Sequence, residues 1–405
     1  MSALKPERYL PWALLGGLGW FFVYADRAVL SPLLHAFGVQ FHVGPSALGL
    51  ISSIFFLTYT AVQIPAGHLA DRVSPRILLG VGYIGFGVFI AATGGAASYA
   101  ALLGLSALAG VFQGVYYPTQ FAVTARRIPA RALSVANAVI TAGMGAGIAG
   151  GYLVAALLAP SDWRIPVWIL GLLTVLVGVW LYLVTPADVQ RQKTGANGGQ
   201  RFTRRFGLLL VINFCSLYPF FFLLAWLPYD LGQGQGLHGI WLGLAASLPT
   251  LVAIPATILW SRATAVGRVR RMRVLFAVAA ASLLAMGLFG GIWPLLLGLV
   301  LYGVTGKLVL DPMILSEVAA SLDGAQYGRA YGTLNFVGML SSVAAPALSG
   351  VLVQRLGNFS LAFAVAAAML VIALLLTLGL AGPGRSGGAS DRQPPRTAAE
   401  GGSAP

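Results

Sequence analysis

The chain has 405 residues, 58% of them hydrophobic and only 9% charged, with a mean hydropathy of +0.83. A soluble domain carries about 25% charged residues, so this composition excludes a water-soluble globular protein and marks an integral membrane protein with little mass outside the bilayer. The formal net charge of +14 would suggest nucleic acid in a soluble chain, but the basic residues sit in short loops between apolar stretches, and no nucleic-acid partner is expected.

Twelve apolar spans follow one another, each near the ~20 residues that carry a helix across a bilayer. The first, near 10–36, holds an adjacent acid and base, Asp26 and Arg27, with uncharged sequence on both sides. It exceeds a signal-peptide core in length, and no small-residue cleavage site follows, so it reads as a retained helix. The next five lie near 45–68, 77–97, 99–122, 132–158 and 163–184. A polar stretch, 185–205, rich in Gly, Gln, Arg and Lys, separates them from spans near 206–229, 239–261, 273–290, 293–318, 328–355 and 358–382. From 383 to 405 the chain is mostly Gly, Pro, Ser, Ala and charge, which cannot bury enough apolar surface to order itself. The expected fold is all-α: twelve transmembrane helices in two pseudo-symmetric six-helix bundles, 1–184 and 206–382, with a linker between them and a disordered tail.

Successive spans alternate sides, so the loops form two sets. Twenty-one of the 25 Lys and Arg fall in one set, from Lys5 and Arg8 to Arg396; Arg164 and Arg355 fall in the other, and Arg27 and Lys307 lie inside spans. By the positive-inside rule the crowded side is cytoplasmic. Both termini, the linker and the tail are then cytoplasmic, and a bacterial inner membrane is the expected location. The single cysteine, Cys215, excludes an intramolecular disulfide, and His35, His42, His68 and His238 show no metal-ligand spacing. No metal or cofactor is expected, and the absence of clustered nucleophiles or bases speaks against an enzyme.

The loop after the second span reads Gly67-x-Leu-Ala-Asp71-Arg72-x-Ser-Pro-Arg76. It resembles the loop signature of the major facilitator superfamily, with Ser74 where that family usually has glycine. The resemblance implies two halves that rock about a central site, and a conformational gating role for Gly67, Asp71, Arg72 and Arg76. Tyr24-Ala-Asp-Arg27, Gly114-Val-Tyr-Tyr-Pro118 and Trp226-Leu-Pro-Tyr229 resemble motifs of its anion:cation symporter branch. Gln113 stands where that branch often has glutamate, so the usual coupling acid is missing there. The fifth span lacks the proline of the drug-antiporter signature.

In that family the first, fourth, seventh and tenth spans line the cavity. Tyr24, Arg27 and Ser31 share a face of span one, while Asp26 is rotated ~100° from Arg27. A charge so deep costs at least ~2.5–3.5 kcal/mol; the alternatives are an internal Asp26–Arg27 salt bridge or an Arg27 that faces a polar cavity. Gln113, Tyr117 and Gln120 form a stripe on span four, for substrate or for interhelical hydrogen bonds. Tyr218 lies on span seven and Asn335 on span eleven. Lys307 and Asp311 of span ten face alike and either pair or leave Lys307 for substrate. The expected substrate-binding residues are Arg27, Tyr24, Ser31, Gln113, Tyr117, Gln120, Tyr218, Lys307 and Asn335, with Asp26 and Asp311 as proton-coupling candidates. The expected function is secondary transport of a small organic anion, a carboxylate or sugar acid, by proton-coupled symport of a monomer in the lipid bilayer. The alternative is efflux of a hydrophobic or cationic compound.

Overall fold

A computed structural model describes residues 6–70, 73–127, 130–185, 203–261, 267–321 and 327–380. The linker from 186 to 202 and the tail from 381 on lie outside them, as do Asp71 and Arg72. Fourteen α-helices make up the described architecture: α1 (Pro6–Val29), α2 (Leu34–Phe41), α3 (Pro45–Ala70), α4 (Pro75–Thr93), α5 (Tyr99–Arg127), α6 (Ala130–Leu158) and α7 (Arg164–Val184), then α8 (Arg204–Tyr229), α9 (Gly239–Ser261), α10 (Arg268–Leu288), α11 (Ile292–Thr305), α12 (Lys307–Ala320), α13 (Tyr327–Leu356) and α14 (Ser360–Leu376). The local sequence sets several of their starts. Ser74 accepts the amide of Ile77 at 3.4 Å and Pro75 fills the first position of α4, where its missing N–H costs nothing. Thr203 accepts the amide of Phe206 in the same way at the start of α8.

Among the described residues, ten helical segments are long and apolar enough to cross a membrane, and an eleventh counts if the bent pair formed by α1 and α2 is one span. The apolar part of α6, Ala142–Leu158, is shorter. Two expected spans are not continuous helices. Span one ends at Val29, turns through 30–33 by tight bonds such as Ser31 N to Ala28 O and Leu33 N to Leu30 O, and resumes as α2 at 43°. Pro32 explains the break, because it disfavours the helical region for Ser31. Span ten breaks at Gly306, where a Cβ would stand 2.7 Å from the Tyr302 carbonyl oxygen and 2.8 Å from its ring. Only glycine allows so close an approach.

In the first half, α1 lies along α6, α3 along α5, and α4 packs on both α5 and α7; in the second, α8 packs on α13 and α14, α10 on α11 and α14, and α9 on α11. The α1–α6 seam is the closest. A Cβ at Gly143, Gly147 or Gly151 would collide with the carbonyl of Gly17, Phe21 or Ala25. Small residues four apart let two helix backbones touch, and touching is what holds helices together where the solvent is as apolar as the side chains.

The halves meet along α3 against α13 and α6 against α9. Toward the end of the bundle opposite the two termini, side chains of the first half reach the backbone of the second. Ser31 donates to the Ala225 carbonyl at 2.5 Å, Tyr152 to the Leu224 carbonyl at 2.9 Å, and Ser53 to the Val343 carbonyl at 2.8 Å. The amide of Ser46 donates to Gln354 Oε1 at 2.9 Å.

Candidate functional site

Arg27 sits in the last turn of α1. Its Nε donates to Oε1 of Gln113 on α5 at 2.9 Å. Four rings surround the guanidinium: its carbon is 4.7 Å from the centre of Tyr59, 4.8 Å from Tyr24, 5.3 Å from Phe56 and 5.7 Å from Phe55. No carboxylate pairs with it among the described residues, where the ion pairs are Arg164–Asp162, Arg205–Glu317, Arg268–Glu317 and Lys307–Asp311. The Asp26–Arg27 salt bridge open in the sequence is therefore not formed. Asp26 is fully buried and points to α7, where Thr174 donates to its Oδ2 at 2.6 Å. Its Oδ1 has no hydrogen-bond partner among the described residues. The ~100° between successive helical residues sends the acid toward α7 and the base toward its neighbours on α3 and α5.

Gln113 is buried, and its Nε2 has no hydrogen-bond partner among the described residues. Gln120, two turns along α5, is also buried and places its amide nitrogen 2.8 Å from where a Cβ of Gly16 would stand. Both ends of the expected stripe thus face α1. The side chain of Tyr117, between them, lies outside the described residues, and so do Asp71 and Arg72, while Gly67 falls in the last turn of α3. Arg76 lays its guanidinium over the Tyr182 ring, 4.4 Å from its centre.

Three expected residues are engaged elsewhere. Ser31 lies past the end of α1, so it leaves the Tyr24–Arg27 face, and its hydroxyl is spent on Ala225. Asn335 donates to Oε1 of Gln63 on α3 at 2.9 Å, a bond between the halves. Lys307 pairs with Asp311 and rests over the Phe220 ring, 5.0 Å from its centre. Tyr218 is buried on α8.

The sequence reading missed several partners. Tyr59, Phe55 and Phe56 come from a span without charge, and nothing in a lone aromatic distinguishes a wall from a core. Thr174 was detectable as a hydroxyl in the middle of span six. Glu317 is the most telling omission. It is buried near the end of α12 and accepts from Arg205 at 2.8 Å and Arg268 at 3.2 Å, tying α8, α10 and α12 together. An acid in span ten close to two basic loops was the signal.

The model of the Major Facilitator Superfamily matches residues 17–237 and 209–402. A probable sulfoacetate transporter, SauU, of Cupriavidus necator is 24% identical over 392 residues, covering 89% of this chain and 91% of that protein. A multidrug efflux protein, YfmO, of Bacillus subtilis is 24% identical over 335 residues, covering 81% and 82%. Among solved structures, a bacterial homologue of the human lysosomal transporter Spinster, inward-facing and occupied, superposes with a TM-score of 0.77 at 15% identity, covering 93% of this chain and 97% of that one.

Proposed function

Because this chain belongs to the major facilitator superfamily of transporters, we propose that it carries a small organic anion across the membrane by alternating access between two six-helix bundles, 1–184 and 206–382. One observation carries the reading: Arg27 is an intramembrane guanidinium with a neutral hydrogen-bond partner, aromatic walls and no carboxylate beside it among the described residues. A cation costs at least ~2.5–3.5 kcal/mol at that depth, and a bound anion offsets that cost. Guanidinium presents two parallel donors to one carboxylate or sulfonate. The similarity to a sulfoacetate transporter supports the same substrate class.

Efflux of a hydrophobic cation, which the similarity to a multidrug efflux protein would favour, meets a physical obstacle. The acid beside Arg27 in sequence is turned away toward Thr174 of α7, and Asp311 is already paired. A cationic substrate would face Arg27 with no counter-charge. In this reading Asp26 carries the coupling proton, since it is the one acid on the Arg27 helix within the span and has no cationic partner among the described residues. Ser31 and Asn335 join the contacts between the halves instead of holding substrate. The protein sits in a bacterial inner membrane with both termini cytoplasmic, the side where the basic loops collect.

The test is flux into proteoliposomes, with sulfoacetate and short carboxylates as probes. Arg27→Gln should abolish uptake and weaken binding about 30-fold or more, as loss of ~2–5 kcal/mol from a desolvated charged contact implies. Arg27→Lys should recover little, because lysine keeps the charge without the two-pronged geometry. Asp26 keeps Thr174 in both variants, so neither creates an orphaned pair. Wild-type flux in Arg27→Gln would end the anion reading.

A further inference from the structure

The face of α1 that carries Asp26 meets a second set of buried polar groups inside the first half. Tyr83 of α4 and Tyr116 of α5 set their rings edge to face, centroids 4.7 Å apart, and both hydroxyls end on α1 at Gly19. Tyr83 donates to the Gly19 carbonyl. A Cβ at Gly19 would stand 2.5 Å from the Tyr116 hydroxyl and 3.4 Å from that of Tyr83, so the missing side chain is what admits them. One turn nearer the start of α1, Gly16 leaves similar room for the Gln120 amide. Tyr83 and Asp26 have no exposed surface and Tyr116 has 2%.

Two buried polar atoms in this region lack a hydrogen-bond partner among the described residues, the Tyr116 hydroxyl and Asp26 Oδ1. They are near one another. Gly19 and Asp26 are seven positions apart, which puts them within ~20° around the helix. The Gly19 carbonyl points up the helix, while the Asp26 side chain leans back down it. About one turn, ~5.4 Å, then separates the Tyr83 hydroxyl from the carboxyl, a gap that one water bridges with a hydrogen bond at each end. The other titratable groups on the helices around α1 are engaged elsewhere. Arg27 turns to Gln113, Tyr99 of α5 donates to Ala47 and Tyr152 of α6 to Leu224, Arg164 of α7 pairs with Asp162, and Tyr182 of α7 lies under Arg76.

Building on the reading of Asp26 as the coupling acid, we propose that its proton is exchanged through the interior of the first half, by way of the Tyr83 and Tyr116 hydroxyls, and not through the space that Arg27 faces. In each hop the carboxyl gives its proton to a hydroxyl or water oxygen as that group passes its own proton on toward Gln120 and the start of α1. One O–H bond forms for each that breaks, every relay member stays neutral, and Asp26 is left as the carboxylate. Loading runs the same steps in reverse. The proton and the anion then have separate routes on two faces of one helix, and the passing proton never meets the guanidinium.

The experiment follows Asp26 directly, without a substrate, by time-resolved infrared spectroscopy of the purified full-length protein after a pH jump. The Asp26 signal is the protonated-carboxyl stretch that Asp26→Asn abolishes. Tyr116→Phe keeps the ring contact and removes a hydroxyl that has no partner among the described residues, so it should fold as the wild type does. Tyr83→Phe/Tyr116→Phe should slow both protonation and deprotonation by about a hundredfold, the lower end of what a positioned proton-transfer group contributes, and each single variant by part of that. A relay speeds both directions alike, so the pH midpoint of the band should stay where it is. Wild-type rates in the double variant overturn the proposal. So does a midpoint that moves while one of the two rates is unchanged, which makes the tyrosines structural neighbours of the acid. The absence of any Asp26-dependent band at every pH the protein tolerates removes the coupling reading itself, whereas a band whose rates ignore both tyrosines removes only the path.

Discussion

Tyr152→Phe removes one hydroxyl, and the consequence follows from a proline. In an α-helix the carbonyl of Leu224 would accept the amide of residue 228, but residue 228 is Pro228 and has none. Tyr152, from the other half, supplies the missing donor at 2.9 Å. Without it a buried carbonyl is left unsatisfied in a medium that offers no water, which costs ~1–3 kcal/mol. That cost falls on the closed arrangement of this end alone, so the closed-to-open ratio should drop about 5- to 150-fold. Ser31→Ala is the contrasting variant. The carbonyl of Ala225 keeps the helical amide of Tyr229, so losing the 2.5 Å bond from Ser31 should cost only the net value of one hydrogen bond, ~0.5–1.5 kcal/mol. Electron-spin distance measurements between labels at Val39 and Arg355, in a Cys215→Ala background, report the separation of the halves at this end. Tyr152→Phe should enlarge the long-distance population clearly more than Ser31→Ala. Equal shifts, or none for Tyr152→Phe, would refute the argument from the orphaned carbonyl.

Asp26→Asn should abolish anion accumulation driven by a pH gradient while exchange at equal pH persists; loss of exchange as well would make Asp26 a structural group. Glu317→Gln should lower the thermal midpoint in detergent, by less than the ~3–5 kcal/mol of a fully buried pair, because the side chain of Arg205 is 45% exposed and solvent screens it. An unchanged midpoint would reduce the three-helix tie to a surface contact. Gly306→Ala should destabilise the protein by about 1–3 kcal/mol through overpacking, since its Cβ would press on Tyr302; a stable variant with unchanged transport would show that the break in span ten is not held by that contact.

The membrane-spanning character was legible because bilayer thickness forces long apolar runs, and family membership because the loop after span two keeps its glycine, acid and bases in register. The breaks in spans one and ten were not, although Pro32 and Gly306 stood in plain view. Proline and glycine are common inside membrane helices, and their effect depends on what packs beside them. The rotation separating Asp26 from Arg27 followed from helical geometry alone. The partners of each did not: Thr174 is 148 residues from Asp26 and Gln113 is 86 from Arg27. Such meetings depend on tertiary packing that periodicity does not encode. Lys307 and Asp311 were visible as a pair because one helical turn joins them.

The glycine row of α6 has a mechanical consequence. With Gly143, Gly147 and Gly151 set against the carbonyls of Gly17, Phe21 and Ala25, the two backbones have no compressible side chains between them, so α1 and α6 form a stiff double beam. Arg27 rides on that beam, and the beam's other flank, through α6, bears on α9 of the opposite half. Sliding at the α6–α9 surface is therefore delivered to Arg27 as displacement with little lost to bending, so the residue proposed here to meet the anion is geared directly to the surface between the halves.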